Sequence, residues 1–227
     1  VGFGELAFWM ATKKRPTPGQ VRLFEAVLVS LADHGFTPTA IAARMTYYSA
    51  PDSIQGAIAA GLLGGGSRFL GVTEDTGKFL NQRVKGVDTS NFSEEDFKEL
   101  AISIVTEENS AKRRIPGLGH PVHKNGDPRT PVMFQIAKAE GVYGPHLALY
   151  EAIGEVHESI LGKKLPLNGA GVGGAALADL GLPIDLLRGF ALLARTAGLV
   201  GHLAEEHENP IGPDVYYSVD RNAVYEG

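Results

Sequence analysis

The chain has 227 residues, of which 44% are hydrophobic and 21% are charged, as is typical of a single globular domain with a substantial core. Its formal net charge of −5 argues against a nucleic-acid-binding surface. The lack of cysteine excludes disulfides and thiolate metal sites, and no two histidines have H-E-x-x-H spacing, so we expect no metal.

The most apolar stretch, Gly189 to Gly201, is too short to span a bilayer and has Arg195 in its middle. No signal-peptide pattern precedes the first predicted helix, so we expect a cytoplasmic protein without a membrane anchor. Because the sequence opens on Val1 and not on Met, we also expect that N-terminal residues are missing from it.

The first clear helix start is Thr17, which is followed by Pro18 and, at the third position, by Gln20. This is the pattern of a capping box. Apolar residues then recur at helical spacing as far as Leu31, and Gly35 is suited to a left-handed stop. His34 would therefore lie at a helix C-terminus, where a lone histidine most often serves as a cap.

Residues 37–63 are rich in alanine, and Pro51 should divide them into two helices. The glycine-rich run 61–71 is a weak phosphate-loop signal because it lacks the G-K-(S/T) ending. Ser93 to Asp96 begins another helix, with acidic residues in its first turn.

The stretch from Arg114 to Arg129 cannot form a regular helix, since glycine or proline occupies six of its positions. Its imidazoles could transfer protons near neutral pH, and its cationic side chains could hold carboxylates or phosphates. An ordinary solvated loop is the alternative. The reactive side chains of the stretch are His120, His123, Lys124, Asp127 and Arg129.

Beyond this loop, Arg195 interrupts an apolar helical face, where an unpaired buried guanidinium would be costly. It could reach solvent, pair with a structural acid or clamp a carboxylate. The segment 215–219 could form one short strand. The helices predicted here are 130–139, 145–161, 172–180 and 186–206.

The residues from Gly117 to Arg129 read G-L-G-H-P-V-H-K-N-G-D-P-R. They resemble the G-x-G-H-x-(V/L)-x-(K/R)-x-x-D-P-R signature of the citrate synthase superfamily, and most strongly that of citryl-CoA lyases, including the C-terminal module of ATP-citrate lyase. The segments 31–35 and 194–202 are similar to the family's A-D-H-(G/E) and R-x-x-G-x-x-x-H patterns. The resemblance implies one all-α, citrate synthase-like domain over 1–227, with a small lobe, approximately 85–185, packed on a larger helical part.

The resemblance also implies site residues. His120 would move the proton on the carbonyl or hydroxyl oxygen, and His34 would act beside it on the substrate. His34, Arg129 and Arg195 would hold a di- or tricarboxylate. The residues implied for a coenzyme A thioester are Lys124, Lys163, Lys164, Arg114 and Asn168.

Two positions depart from the family pattern. Where the family reads N-V-D, with the aspartate moving a proton on the acetyl methyl carbon, Asn168 is followed by Gly169 and Ala170. Where true synthases carry a further catalytic histidine, this chain has residues 65–68, Gly-Gly-Ser-Arg, which favours the lyase branch. Either Asp179 or Asp127 substitutes for the missing base, or the acyl-CoA is a different one, or the protein only binds.

The resemblance thus implies a citryl-CoA lyase-type enzyme that cleaves or forms the bond between an acetyl-CoA enolate and oxaloacetate. The alternatives are a citrate synthase-like enzyme acting on another acyl-CoA and keto acid, and a catalytically silent CoA- or citrate-binding protein. We expect a CoA thioester as substrate, no tightly bound cofactor, and a homodimer whose C-terminal tail, with Arg221, reaches the partner's site. We expect His202 and His207 to be structural.

Overall fold

The computed structural model describes residues 1–120 and 123–226. Within this described part the chain forms eleven α-helices and no β-strand, which confirms the all-α prediction. The helices are α1 (Phe3–Thr12), α2 (Pro18–Ala32), α3 (Pro38–Ser49), α4 (Ile54–Leu63), α5 (Val72–Val84), α6 (Glu94–Ser110), α7 (Arg129–Ala139), α8 (Pro145–Leu161), α9 (Gly169–Asp179), α10 (Leu187–Glu208) and α11 (Gly212–Asn222).

Local capping sets where several helices begin and end. The hydroxyl of Thr17 accepts a hydrogen bond from the Gln20 backbone N–H at 3.3 Å, and the Gln20 side chain accepts one from the Thr17 N–H at 2.9 Å. The predicted capping box at α2 is therefore confirmed. The same helix ends at Ala32, and Gly35 follows with a φ of +68°. His34 consequently lies just beyond the C-terminus of α2.

Helix α9 lies at the centre of the molecule and packs against α2, α5, α7 and α8. All its residues from Gly171 to Ala178 are buried. Such close packing requires small residues, because a side chain at Gly174 would collide with the Thr73 carbonyl. Helix α10 approaches the end of α2 in the same way, with Gly198 against the Ala32 carbonyl. This contact brings one face of α10 to the segment that carries His34.

The prediction of a short strand at 215–219 is wrong, because these residues belong to α11. Their β-branched and aromatic side chains favour a strand, but the preceding residues favour a helix. Pro213 lies in the first turn together with Asp214. The carboxylate of Glu206 accepts hydrogen bonds from the backbone N–H groups of Ile211 and Gly212.

The predicted small lobe at 85–185 contains α6 to α9, and its boundaries stay a prediction. Among the described residues, no helix combines the length and the apolar character that crossing a membrane would require.

Candidate active site

The glycine- and proline-rich loop that leads to His120 is held against the segment before α9. Gly117 and Gly119 have φ values of +82° and +97°, a region that glycine adopts at little cost. The Gly119 N–H donates to the Pro166 carbonyl at 2.7 Å, and the Asn168 N–H donates to the Gly117 carbonyl at 3.0 Å. These bonds make the two segments neighbours over several residues, although they lie almost 50 positions apart.

A cavity of about 150 Å³ opens where this loop meets α2, α7, α9 and α10. His34, His120, Arg129 and Arg195, the four residues predicted to hold and convert a carboxylate substrate, all line it. No aspartate or glutamate is among the described lining residues. The other residues that line the cavity are Leu31, Thr37, Arg68, Phe69, Leu70, Val72, Thr73, Asn168 and Ala170.

The imidazole of His120 is held in one tautomer. Its Nδ1 accepts a hydrogen bond from the backbone N–H of His123 at 2.9 Å, so the proton of the neutral ring is on Nε2. Burial lowers the pKa of His120, and the neighbouring His123, Arg129 and His34 lower it further, while Asp127 opposes them. The ring is therefore neutral at neutral pH and presents an N–H donor.

His34 lies beside His120, with ring centroids 5.9 Å apart and planes 13° from parallel. The two residues come from separate parts of the chain, the end of α2 and the loop before α7. Their stacking places two nitrogen-rich rings on the same cavity. The alternative reading of His34 as a simple helix cap gains no support, because no hydrogen bond from its ring to a carbonyl of α2 occurs within the described residues.

The guanidinium of Arg129 is oriented by Asp127. Its Nε and one terminal nitrogen donate to the two carboxylate oxygens at 2.9 and 2.7 Å, and its other terminal nitrogen donates to the Ser30 carbonyl at 3.1 Å. Three of its five N–H donors are thus used, and two remain for a ligand. Burial alone would raise the pKa of Asp127, but hydrogen bonds from Arg129 and the Gly169 N–H hold that pKa well below its usual range.

Arg195 is only 4% exposed. Its guanidinium donates to the carbonyl of Leu31 at 3.2 Å and reaches the hydroxyls of Thr37 and Thr39 at 3.5 and 3.4 Å. Within the described part of the chain, no acidic side chain forms a salt bridge with it. A buried cation with only neutral partners is costly unless an anion joins it, so the surroundings of Arg195 are suited to an anion. Neither escape to solvent nor pairing with a structural acid describes it.

Arg68 is a lining residue that the sequence did not single out as part of the site. It is exposed, and it forms no hydrogen bond or ion pair with the rest of the described chain. The available signal was its position in the segment where synthases carry a histidine. Arg68 adds a third guanidinium to the cavity, after Arg129 and Arg195.

The two candidate positions for the family aspartate have different surroundings at the start of α9. Ala170 lines the cavity, whereas a side chain at Gly169 would collide with the guanidinium of Arg129. Of the two, Ala170 is therefore the position that has room for a carboxylate beside the cavity. Asp127 is occupied by Arg129 and the Gly169 N–H, so it is a poor base.

Asp179, the other substitute considered, lies at the opposite end of α9 from Ala170. Asp179 follows Ala170 by nine positions, which is about 13 Å along the helix axis. Its buried carboxylate accepts hydrogen bonds from the N–H groups of Gly144, His146 and Leu147 at the start of α8. Asp179 is thus a helix-capping residue, in accordance with the expectation that it is structural.

A second cavity, of about 510 Å³, opens where the end of α6 and the loop before His120 meet the end of α8. Arg114 and Lys163, two of the residues predicted to bind coenzyme A, line this basic cavity together with Lys112 and Arg113. Glu108 and Asn109 also line it, and both carboxylate oxygens of Glu108 accept hydrogen bonds from Arg113. Its apolar wall consists of Ile115, Leu118, Leu161 and Leu165.

The remaining predicted CoA residues lie elsewhere. Lys124 and Lys164 are exposed, and neither is among the described residues that line the two cavities. Asn168 caps α9 through the Gly171 N–H, and its side-chain amide donates to the Gly119 carbonyl at 2.8 Å. Asn168 therefore connects the loop before His120 to the start of α9.

The two histidines of α10, which line neither cavity, have structural partners. Nδ1 of His202 accepts a hydrogen bond from the buried Arg44, and Nε2 donates to Asp33 at 2.9 Å. His207 contacts the Tyr47 hydroxyl at 3.1 Å. Arg221 lies on α11 with its guanidinium 5.2 Å from the Tyr217 ring centroid.

His120, His123 and Asp127 bring three potential metal ligands within 4.8 Å of one another. Nδ1 of His120 already accepts the His123 N–H, and both oxygens of Asp127 accept hydrogen bonds from Arg129. The adjacent guanidinium also repels a cation. The donor set consequently favours an anion site over a metal site.

Comparison with known proteins agrees with this description. Residues 2–213 match the family described as citrate synthase, C-terminal domain. The chain is 32% identical over 199 residues to 2-methylcitrate synthase 1 of Corynebacterium glutamicum, which covers 83% of this chain and 47% of that protein. It is 29% identical over 230 residues to the citrate synthase of Deinococcus radiodurans, covering 96% of this chain and 56% of that protein. The chain thus spans about half the length of these curated relatives.

Two solved structures have the same fold over the whole chain. Citryl-CoA lyase from Hydrogenobacter thermophilus superposes with a TM-score of 0.85 at 33% identity, covering 100% of this chain and 84% of that one. ATP citrate lyase from Methanothrix soehngenii, solved with citrate and coenzyme A, superposes with a TM-score of 0.75 at 24% identity, covering 100% of this chain and 37% of that one. The resemblance seen in the sequence is confirmed, and the chain belongs to the citrate synthase family, matching its C-terminal domain.

Proposed function

We propose that the chain is a citryl-CoA lyase-type enzyme, which cleaves or forms the carbon–carbon bond between an acetyl-CoA enolate and oxaloacetate. The observation that carries this proposal is the convergence of His34, His120, Arg129 and Arg195 on one cavity without a described acidic lining residue. These groups meet the main requirements of the reaction, which are a cationic pocket for a polycarboxylate and a proton donor at a reacting oxygen.

The carboxylates are proposed to bind through Arg129, Arg195 and His34. Two N–H donors of Arg129 remain after its contacts with Asp127 and Ser30. Arg195 is buried and lacks an acidic partner among the described residues, so a bound carboxylate would supply the missing negative charge. Such charge-assisted hydrogen bonds are about twice as strong as neutral ones.

His120 is proposed to act on the oxygen that alternates between carbonyl and hydroxyl. In the bond-forming direction, the enolate carbon attacks the keto carbon while negative charge develops on this oxygen. The Nε2–H of the neutral ring would donate to that oxygen and hand it the proton. The bond from the His123 N–H to Nδ1 keeps the proton on Nε2.

The basic cavity is the proposed site for coenzyme A. Its lysines and Arg114 would hold the phosphates of coenzyme A, and its leucines and isoleucine would pack on apolar parts of the same molecule. Lys124 and Lys164 lie nearby in the sequence and would also approach the phosphates. The bonded segments 117–119 and 166–168 border both this cavity and the carboxylate cavity, which is the one lined by His34, His120, Arg129 and Arg195: Leu118 lines the former and Asn168 the latter. A thioester could therefore extend from the basic cavity toward His120.

Ala170 carries no base for the proton on the acetyl methyl carbon. This observation favours two alternatives. One is a citrate synthase-like enzyme that acts on a different acyl-CoA and keto acid. The other is a protein that binds CoA and citrate without turnover.

Incubation with citryl-CoA separates these possibilities. We expect release of acetyl-CoA and oxaloacetate, measured by coupled reduction of oxaloacetate. Thermal stabilisation by citrate and CoA without acetyl-CoA release would identify a silent binder. Failure of both ligands to stabilise the protein would contradict the proposal altogether.

We further propose that the enzyme is a homodimer, that it holds no tightly bound cofactor, and that Arg221 approaches the partner's site.

Replacing Arg195 by alanine is expected to raise the dissociation constant of citrate about 10- to 100-fold, since a hydrogen bond to a charged group contributes about 1.5–3 kcal/mol. The affinity for coenzyme A should change less than about twofold, because Arg195 does not line the basic cavity. Isothermal titration calorimetry measures both constants.

Arg195→Met serves as a packing control, since methionine retains most of the side-chain volume without the charge. It should weaken citrate binding as much as Arg195→Ala does. Equal losses of citrate and CoA affinity in either variant would argue against a carboxylate clamp.

A further inference from the structure

We propose that His157 is a positioning residue for the CoA thioester: it holds the loop 162–167 in the arrangement that lines the basic cavity. This inference rests on the proposed function, because it assumes that coenzyme A occupies that cavity. His157 lies on α8 and lines neither cavity, so it would act only through the loop.

The hydrogen bonds of His157 show which of its ring nitrogens donates and which accepts. The side chain is buried, with 3% exposure. Its Nδ1 lies 3.1 Å from the Ile153 carbonyl and 2.9 Å from the Gly154 carbonyl. Carbonyl oxygens only accept, so Nδ1 carries the proton. Nε2 accepts a hydrogen bond from the Leu165 N–H at 2.9 Å, so Nε2 carries none. His157 therefore bridges α8 to the loop through both ring nitrogens.

The hydrogen bond from the Leu165 N–H to His157 is the main attachment of this loop. Helix α8 ends at Leu161, and Gly162 follows with a φ of +65°. In the described part of the chain, no other hydrogen bond ties the backbone of residues 163–165 to a different segment. The side chains of Lys163 and Leu165 nonetheless line the basic cavity. Their positions thus depend on the bond to His157.

Residues 166–168 follow this loop directly and are bonded to the loop before His120. Directly after Leu165, the Pro166 carbonyl accepts the Gly119 N–H, and Asn168 then bonds to Gly117. A displacement at Leu165 would shift the cationic side chain at 163 more than the carboxylate cavity, because the bonds at 166 and 168 anchor the latter. Loss of His157 should therefore weaken CoA binding and spare citrate binding.

Two amide variants distinguish the hydrogen bonds made by the two ring nitrogens of His157. In His157→Gln, the amide oxygen can take the place of Nε2 and accept the Leu165 N–H. In His157→Asn, the amide group can replace only Nδ1, so the bond to the loop is lost. We expect His157→Asn to raise the dissociation constant of coenzyme A about five- to tenfold, from the loss of one hydrogen bond. His157→Gln should stay within about twofold of the wild type, and citrate affinity should be unchanged in both.

Calorimetry with coenzyme A and with citrate, on variants whose melting temperatures have been recorded, provides the test. Equal CoA affinity of the Asn variant and the wild type would overturn the proposal, and so would equal weakening in the Asn and Gln variants. If the wild type itself does not bind coenzyme A, the proposed function fails and this inference fails with it. A wild type that binds coenzyme A while the Asn variant binds it equally well overturns this inference alone.

Hydrogen exchange of the wild type keeps the proposal testable even if the Asn variant does not fold. The Leu165 amide should be protected in the absence of ligand, while the neighbouring amides of Lys163 and Lys164 exchange rapidly and serve as internal controls. An unprotected Leu165 amide would overturn the proposal.

Discussion

Replacing His120 by alanine is expected to lower the turnover of citryl-CoA by about two to four orders of magnitude, the usual contribution of a positioned acid or base. The folded structure should persist, because His120 is only partly buried and belongs to a loop. Steady-state kinetics and the melting temperature measure the two effects. Undiminished turnover would remove His120 from the mechanism.

Two further variants show whether the loss is chemical. In His120→Asn, the amide oxygen can still accept the His123 N–H that now bonds to Nδ1, so the turn is retained while the Nε2–H donor is lost. This variant should be as inactive as His120→Ala. His207→Ala, which removes an exposed histidine of α10, should retain full activity.

The pH dependence of the wild type follows from the same ring. Burial, followed by nearby cationic and imidazole groups, lowers the pKa of His120 below its ordinary value of 6.5. Protonation would place a donor on Nδ1 opposite the His123 N–H and break the turn. Because kcat/KM reports the pKa of the free enzyme, we expect kcat/KM to stay constant from neutral pH down past 6.5 and to fall only in more acidic buffer. A decline centred above 6.5 would contradict this assignment.

Replacing Ala170 by aspartate is expected to produce a gain, since it restores a carboxylate at the cavity position where the family carries one. The exchange of acetyl-CoA methyl protons with deuterated water should accelerate by about two to four orders of magnitude. NMR detects this exchange without requiring the complete reaction. Ala170 is the second residue of α9, where an acidic side chain interacts favourably with the helix dipole.

The new carboxylate also has a cost, because it would partly neutralise Arg129 and Arg195. Citrate affinity should therefore fall even while proton exchange rises. Ala170→Asn provides the matched control, since it has the same shape without a base, and it should give no acceleration. If aspartate gives none either, the chain uses another base or another acyl-CoA.

Much of the fold could be predicted because its determinants are local. The capping boxes at Thr17 and Ser93 act within three residues, and the glycines and prolines of 114–128 exclude a helix wherever the chain packs. The failure at 215–219 has the same basis. The side chains of this segment favour a strand, but Glu206 of another helix caps the helix start at Gly212. Residue spacing does not reveal that contact.

The candidate site could be predicted only as a set of residue types. The motif around His120 and the guanidinium in an apolar helical face indicated an anion site, since such groups are costly without partners. The sequence could not indicate that Asp127 orients Arg129, that Arg68 joins the cavity, or that Asp179 caps α8.

By itself, the sequence determined the helices, the irregular loop and the chemical character of the groups in them, because these follow from neighbours a few residues apart. Only the tertiary structure decided which groups share a cavity, which oxygen or nitrogen of each is occupied, and which position of α9 faces that cavity. Those properties depend on how α2, α9 and α10 approach one another through glycine and alanine contacts. Residues such as His34 and Arg195, 161 positions apart, meet only as a result of that packing.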